Sequence, residues 1–284
     1  MIVISEILGG LGNQLFSYCL GYLVSQHVNS ELYIDTSRND FGIDRELEIL
    51  NLNVPFDKRI SYSISKKIID RAVFNKIRRR MAVGFGTRYY REKRIHEYDP
   101  NVFKINKDTW FRGYWQNSKY YLPYRKHLNN VIKFKNNPDR KYVDMIEQIK
   151  NNNQSIAIHI RRGDYLNFNG LSLPMEYYDI AINRVIVNME NPQIYIFSDD
   201  LEYCKDYFTR SFSHINIVYP TYFSNNRTID DLRLMSMFKN IIIANSTYSW
   251  WAAFLGDEKK RVICPDYRLS TGDYNVIDWE KIKV

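Results

Sequence analysis

Cysteine is scarce in this chain. Its 284 residues hold only Cys19, Cys204 and Cys264, far apart and without metal-ligand spacing. Such a count offers no disulfide framework and fits a reducing compartment. Histidine is equally thin, with five scattered residues and no zinc pattern. No apolar run approaches the roughly 18–20 residues that span a bilayer. The opening Met1-Ile2-Val3-Ile4-Ser5-Glu6 lacks a basic segment and carries an acid, so it reads as a core strand and not as a signal peptide. These absences together place the chain in the cytoplasm and leave the sequons at Asn153, Asn226 and Asn245 without a use. Internal repeats and low-complexity tracts are missing too.

What is there is a globular composition, with 45% apolar and 25% charged residues, enough for a real core. Aromatics reach 15%, and the 23 tyrosines among them suit clefts for sugars or bases, where the ring packs and the hydroxyl bonds. Most of the net charge of +8 sits in one stretch. Lys66, Lys67, Arg71, Lys76, Arg78, Arg79 and Arg80 stand there against Asp70 alone. Such a run suggests an anionic membrane surface or nucleic acid, with a solvated helix face as the plain alternative. Nucleic acid is not expected as a partner, because it would leave the polar clusters of the second half without a purpose.

In the first half, Ile2 to Ile7 reads as a strand. It runs into Gly9-Gly10-Leu11-Gly12-Asn13-Gln14 and then a helix from Leu15 to Val28. This is the opening of a nucleotide-binding βαβ unit, but Leu15 stands where the dinucleotide fingerprint has its third glycine. Gly10 and Gly12 supply a turn that a ligand or another loop can approach closely, and Asn13 and Gln14 put amides at its mouth. A second strand is expected over Glu31–Ile34, ending at Asp35, and a helix over Ser63–Ala82. Trp110-Phe111-Arg112-Gly113-Tyr114-Trp115-Gln116 reads equally well as a core strand or as a carbohydrate-stacking wall. Pro138 and an amphipathic helix ending in Asn151-Asn152-Asn153 mark a domain break, giving domains 1–150 and 151–284.

The second half alternates regularly. Strands are expected over 155–160, 194–198, 215–219, 240–244 and 261–264. Helices are expected from about Pro174, after Asp200, near Asp230 and over Tyr248–Gly256. Repeated βα units mean a parallel, doubly wound sheet, whose ligands sit beyond the carboxyl ends of the strands. The central strand, with Ile156, Ile158 and Ile160 alternating, reads as having one buried face and ends in His159, Arg161, Arg162, Gly163 and Asp164. Two adjacent guanidiniums need an anion, and their forked donors fit phosphate oxygens bidentately. Gly163 would let a ligand come close, and Asp164 would pair with one arginine. Asn245-Ser246-Thr247 opens a helix and offers an anion site there, or an ordinary N-cap. Asp231 has the acceptors to pair with guanine. Asp199-Asp200 invites a metal, yet it is not Asp-x-Asp, has no third ligand, and two arginines already neutralise phosphates. No metal or other cofactor is expected.

Taken together, several motifs resemble the bacterial α-1,2-fucosyltransferases of glycosyltransferase family 11. They are Gly9-Gly10-Leu11-Gly12-Asn13-Gln14-Leu15-Phe16, Gly113-Tyr114-Trp115-Gln116, His159-Ile160-Arg161-Arg162-Gly163-Asp164-Tyr165, Met175-Glu176-Tyr177-Tyr178, Phe197-Ser198-Asp199-Asp200 and Asn245-Ser246-Thr247-Tyr248-Ser249-Trp250-Trp251. Asp257-Glu258-Lys259 and Leu173-Pro174 depart from the family pattern without touching the donor motifs. The resemblance implies an α/β, GT-B-like enzyme with two Rossmann-like halves and parallel sheets. It also implies a GDP-fucose donor, inversion, and a galactose-terminated oligosaccharide or lipid-linked glycan as acceptor. Donor contacts carry over to His159, Arg161, Arg162, Asp231, Asn245, Ser246, Thr247 and Ser249. Gly10, Gly12, Asn13 and Gln14 form the loop near the sugar, and Arg161, Asp164 and Asn13 are the catalytic candidates. The basic stretch would hold the enzyme at the inner face of an anionic membrane.

Overall fold

The computed structural model describes residues 1–40, 42, 44–61, 86–94, 96–138, 140–167, 171–220, 227–266, 276 and 278–284. The helix expected over 63–82, and with it the basic stretch, lies outside the described residues. No described helix is long and apolar enough to cross a membrane. Two compact units divide the chain, Met1–Lys133 in one and Phe134–Leu269 with Asn275–Val284 in the other. The sequence expectation sets the break after residue 150, so helix Arg140–Asn151 falls in the second unit instead of the first.

The first unit holds strands β1 (Ile2–Glu6), β2 (Glu31–Asp35), β3 (Lys58–Ile60), β4 (Arg88–Arg91) and β5 (Thr109–Arg112). They form one sheet in the order β3-β2-β1-β5-β4, with every pairing parallel. Helix α1 (Leu11–His27) is buried along nearly its whole length, Leu15, Leu20 and Val24 at 0% exposure. A helix apolar all round belongs in a core. It begins ahead of the expected Leu15, because backbone and side-chain bonds to its first turn outweigh the poor helix propensity of glycine and asparagine. Trp110 and Phe111, in β5, are buried core residues and form no exposed wall.

The second unit holds β6 (Ser155–Ile160), β7 (Gln193–Ser198), β8 (Asn216–Val218), β9 (Asn240–Ile242), β10 (Arg261–Pro265) and β11 (Glu280–Ile282). Helices α2 (Arg140–Asn151), α3 (Met175–Ile186), α4 (Leu201–Ser211), α5 (Arg227–Met237) and α6 (Thr247–Phe254) connect or precede them. The sheet order is β8-β7-β6-β9-β10-β11, again wholly parallel. Strand β11 was not expected from the sequence. All six residues of β6 are buried, so both faces are covered and not one. That is the rule for a parallel sheet with helices on either side. Each isoleucine of the strand contributes roughly 1.5–3 kcal/mol by burial. Strand order reverses between β6 and β9, the chain adding strands to one side of β6 and then to the other, which makes the carboxyl ends of these two parallel strands the switch point where a ligand is expected. The α/β class and the two Rossmann-like halves stand as the sequence implied.

Candidate active site

Strand β6 delivers its polar residues at that switch point. Ile160 pairs with Ser198, so the residues after each strand meet side by side. Arg161 binds Asp164 through Nη2 at 2.7 Å and Asp199 through Nη1 at 2.9 Å. Arg162 donates from Nε to Asp200 at 3.0 Å, and its guanidinium lies over the Tyr203 ring. Nη1 and Nη2 of Arg162 make no bond to the described residues, and an edge of this kind has the geometry to donate to two oxygens of one anion. The arginine pair therefore carries its own counter-ions, Asp164, Asp199 and Asp200, where the sequence alone demanded an outside anion. Asp199 and Asp200 serve the arginines. The close approach at Gly163 also differs from expectation. A Cβ there would lie 2.5 Å from Oδ2 of Asp199, so the glycine makes room for this carboxylate, which also accepts from Arg162 N at 2.9 Å.

His159 is 6% exposed, and its Nδ1 has no hydrogen-bond partner among the described residues. Burial, and then the charge of Arg161, push its pKa down to about 3. The imidazole is therefore neutral near pH 7 and has a buried nitrogen available for a ligand. Its ring lies 5.5 Å from that of Tyr248, in the first turn of α6, which brings the ends of β6 and β9 together. Asn245 donates to Leu171 O at 2.8 Å, while its Oδ1 is buried without a partner. Ser246 is the N-cap of α6 without a side-chain cap bond, and Thr247 is half-buried beside it. Ser249, fully buried, bonds to the carbonyls of Ala244 and Ser246, so its hydroxyl stabilises the helix and does not face a donor. Asp231 lies inside α5 at 5% exposure, where Tyr142 of α2 donates to its Oδ1 at 2.8 Å.

The glycine-rich loop of the first unit is organised differently from the sequence reading. Gly10 is the N-cap of α1, and Gly12 is buried in its first turn. Gly9 N donates to Asp44 Oδ1 at 3.0 Å and Leu11 N to Glu48 Oε2 at 3.3 Å, so another loop covers this helix end. Gln14 does not open onto a mouth. It is fully buried, donates to Gly9 O and Glu46 O, and accepts from Glu48 N and Ile49 N. An amide that saturates its donors and acceptors internally has a structural role. Asn13 is half-buried and accepts from Gln116 Nε2 at 2.7 Å. Sequence reasoning missed Tyr203 and Tyr248 as site residues, because their contacts with Arg162 and His159 come from distant segments.

Comparison with known proteins decides the family. The profile of Glycosyl transferase family 11 matches residues 58–274. The chain belongs to glycosyl transferase family 11. Alpha-1,2-colitosyltransferase of Escherichia coli is 33% identical over 270 residues, covering 89% of this chain and 87% of that protein. O-antigen biosynthesis glycosyltransferase WbnK, also from Escherichia coli, is 29% identical over 288 residues, covering 90% of this chain and 91% of the other. Among solved structures, fucosyltransferase NodZ from Bradyrhizobium aligns with a TM-score of 0.54 at 14% identity, over 95% of this chain and 96% of that one. At such low identity the likeness is one of fold, the GT-B-like pairing of Rossmann-like units. This family 11 member is thus a glycosyltransferase of the bacterial fucosyl- and colitosyltransferase type.

Proposed function

We propose that the protein transfers L-fucose from GDP-fucose to the 2-hydroxyl of a galactose-like acceptor, with inversion, in the synthesis of an O-antigen, capsule or related surface glycan. One observation carries the donor assignment. The Arg162 edge that bonds no described residue, the Arg161 guanidinium and the unpartnered Nδ1 of His159 all stand within four residues at the carboxyl end of β6. In the transfer the bond between the sugar's anomeric carbon and the diphosphate oxygen breaks. Negative charge then builds on the diphosphate while the acceptor oxygen bonds from the opposite face and passes its proton to water. Arginine donors fixed in advance stabilise that charge without reorganising. Asp164, Asp199 and Tyr203 hold those donors in place. His159 takes the ribose or guanine side and Asp231 the guanine, with Asn245, Ser246 and Thr247 beside the phosphates. Asp164, bonded to Arg161, acts by aiming that arginine and not as a general base, and Asn13 orients a hydroxyl. No metal is required in this scheme, because the arginines take the diphosphate charge and also occupy the two aspartates after β7.

A second reading within the family follows from the 33% identical colitosyltransferase, namely that the donor is another GDP-sugar such as GDP-colitose. Colitose lacks the 3-hydroxyl of fucose, so comparing the two donors on one galactoside acceptor decides between them. Three buried free cysteines suit the cytoplasm. Peripheral contact of residues 66–80 with anionic lipid is part of the proposal, and binding of a charge-reversed variant to anionic vesicles tests it.

Calorimetric titration of GDP into wild type and Arg161→Ala, with and without EDTA, tests the donor site. Binding that survives EDTA and collapses in the variant supports the proposal. Absence of GDP binding in both conditions defeats it, and binding only with added manganese moves the phosphate site to a metal.

A further inference from the structure

The first unit carries a second constellation that the donor chemistry leaves unused. Arg91 of β4 and Arg112 of β5 are register partners in a parallel pair, so the segments that follow them leave the sheet at the same edge. Between these segments lies a cavity of about 200 Å³, whose lining includes Glu92, Tyr98, Asp99 and Trp115. That is below the roughly 300–1,000 Å³ of pockets for drug-sized ligands and suits a single ring.

The surrounding backbone is held in an uncommon form. Trp115 has φ 56° and His96 φ 69°. A bulky residue in the left-handed region is an outlier, and such outliers gather at binding and active sites. Glu92 fixes this turn by accepting from Tyr114 N at 2.7 Å and Trp115 N at 3.1 Å. Its approach requires glycine at 113, where a Cβ would lie 2.7 Å from Oε2 of Glu92. Past the turn, Gln116 passes the constraint to Asn13 through its 2.7 Å bond. His96 Nδ1 and Gln116 O, 3.3 Å apart, close the far side.

We propose that this cavity binds an uncharged hexopyranose unit of the acceptor glycan, with Glu92 and Asp99 accepting its hydroxyls and Tyr98 set against its ring. The inference rests on the glycosyltransferase reading above. Three carboxylates, Glu92, Glu97 and Asp99, face Lys93 and Arg94, so the lining disfavours a phosphate or an acidic sugar. Glu92 accepts from the backbone N–H groups of Tyr114, Trp115 and His96, and Asp99 from Tyr90 Oη and from Asn101 N and Nδ2, so of roughly four lone-pair sites each carboxylate keeps about one for a sugar hydroxyl. Aromatic rings beside carboxylates match the alternation of C–H face and hydroxyl edge that a pyranose presents. Glu92 is also a positioning residue, since the same carboxylate sets the turn that reaches Asn13.

The test uses the full chain as wild type, Tyr98→Ala, Tyr98→Phe and Glu92→Gln. Saturation-transfer NMR with methyl β-galactoside and lactose, without donor, reads glycan binding directly. Acceptor KM and kcat, with whichever of GDP-fucose or GDP-colitose the wild type turns over, read it in catalysis. Expected for Tyr98→Ala is an acceptor KM raised roughly 10-fold with the NMR signal lost, while Tyr98→Phe stays near wild type and GDP affinity is unchanged in both. Glu92→Gln is expected to raise KM and also lower kcat. Unchanged acceptor KM and NMR signal in Tyr98→Ala, with GDP still bound, overturn the proposal, as does absence of any galactoside signal in wild type. A galactoside signal lost in Tyr98→Ala, alongside no transfer from either donor, refutes the donor assignment and leaves the subsite standing.

Discussion

The guanidinium carbon of Arg162 lies 3.3 Å from the ring centroid of Tyr203, while its Nε donates to Asp200 at 3.0 Å. Face and one edge of the group are thereby fixed, and the remaining edge is presented. Removing the ring in Tyr203→Ala is expected to weaken GDP binding roughly 3- to 30-fold, the range that a cation–π contact of about 0.5–2 kcal/mol represents. Tyr203→Phe keeps the face and is expected to bind GDP as wild type does. Calorimetry on the two variants separates ring from hydroxyl.

Lysine at position 162 keeps the charge but not the fork. Arg162→Lys is expected to lower kcat by on the order of 10²–10³, as loss of a preorganised donor does, while the melting temperature moves little. Steady-state rates at saturating acceptor check it. A kcat within threefold of wild type would show that point charge alone suffices.

Burial makes His159 a sensor of acid stability. Its pKa falls from the ordinary 6.5 to about 3 in the folded protein. Between those values the unfolded chain binds a proton that the native chain does not. Stability therefore rises with pH through the window and is lost as pH falls, by up to about 1.4 kcal/mol per pH unit for this one group. His159→Gln is expected to flatten the dependence of unfolding free energy on pH from about 6.5 downward. Denaturant titrations at several pH values give the slope directly.

Gln14 offers a contrast between fold and site. Gln14→Ala removes the oxygen to which Glu48 N and Ile49 N donate, and a donor stranded in a buried position costs roughly 1–3 kcal/mol. A marked drop in stability is expected with GDP affinity intact in the protein that remains folded. Unaltered stability together with a raised donor KM would place the amide at the sugar after all.

Much of the second unit was legible because its strands are written in alternating isoleucines and end in charged clusters. That Asp164 pairs with one of the two arginines was legible from their closeness in the chain, and the structure shows the partner to be Arg161. The partners across strands were not, since the register that sets Arg162 against Asp200 depends on two segments distant in the chain. Gln14 misled because an amide at a helix start looks the same in sequence whether it faces out or in. Its partners at Glu46, Glu48 and Ile49 arrive through tertiary folding alone. Ser249 misled for the same reason, its hydroxyl turning back onto Ala244 and Ser246. Strand β11, three residues long with Lys281 in the middle, has too little alternation to announce itself. Trp110 and Phe111 were open to two readings because aromatic rings serve cores and sugar clefts alike, and only burial distinguishes them.

The aspartates paired with Arg161 and Arg162 bear on selectivity in a crowded solution. Inorganic phosphate, nucleotides and acidic metabolites all seek guanidinium groups. Here each visitor must compete with carboxylates already at 2.7–3.0 Å, attached to the same chain and so never diluted. A small anion brings too little to displace or share with them. On the proposed reading a ligand that adds contacts from a base does, so the resident charges act as a threshold that GDP and its sugar conjugates pass and bare phosphate does not.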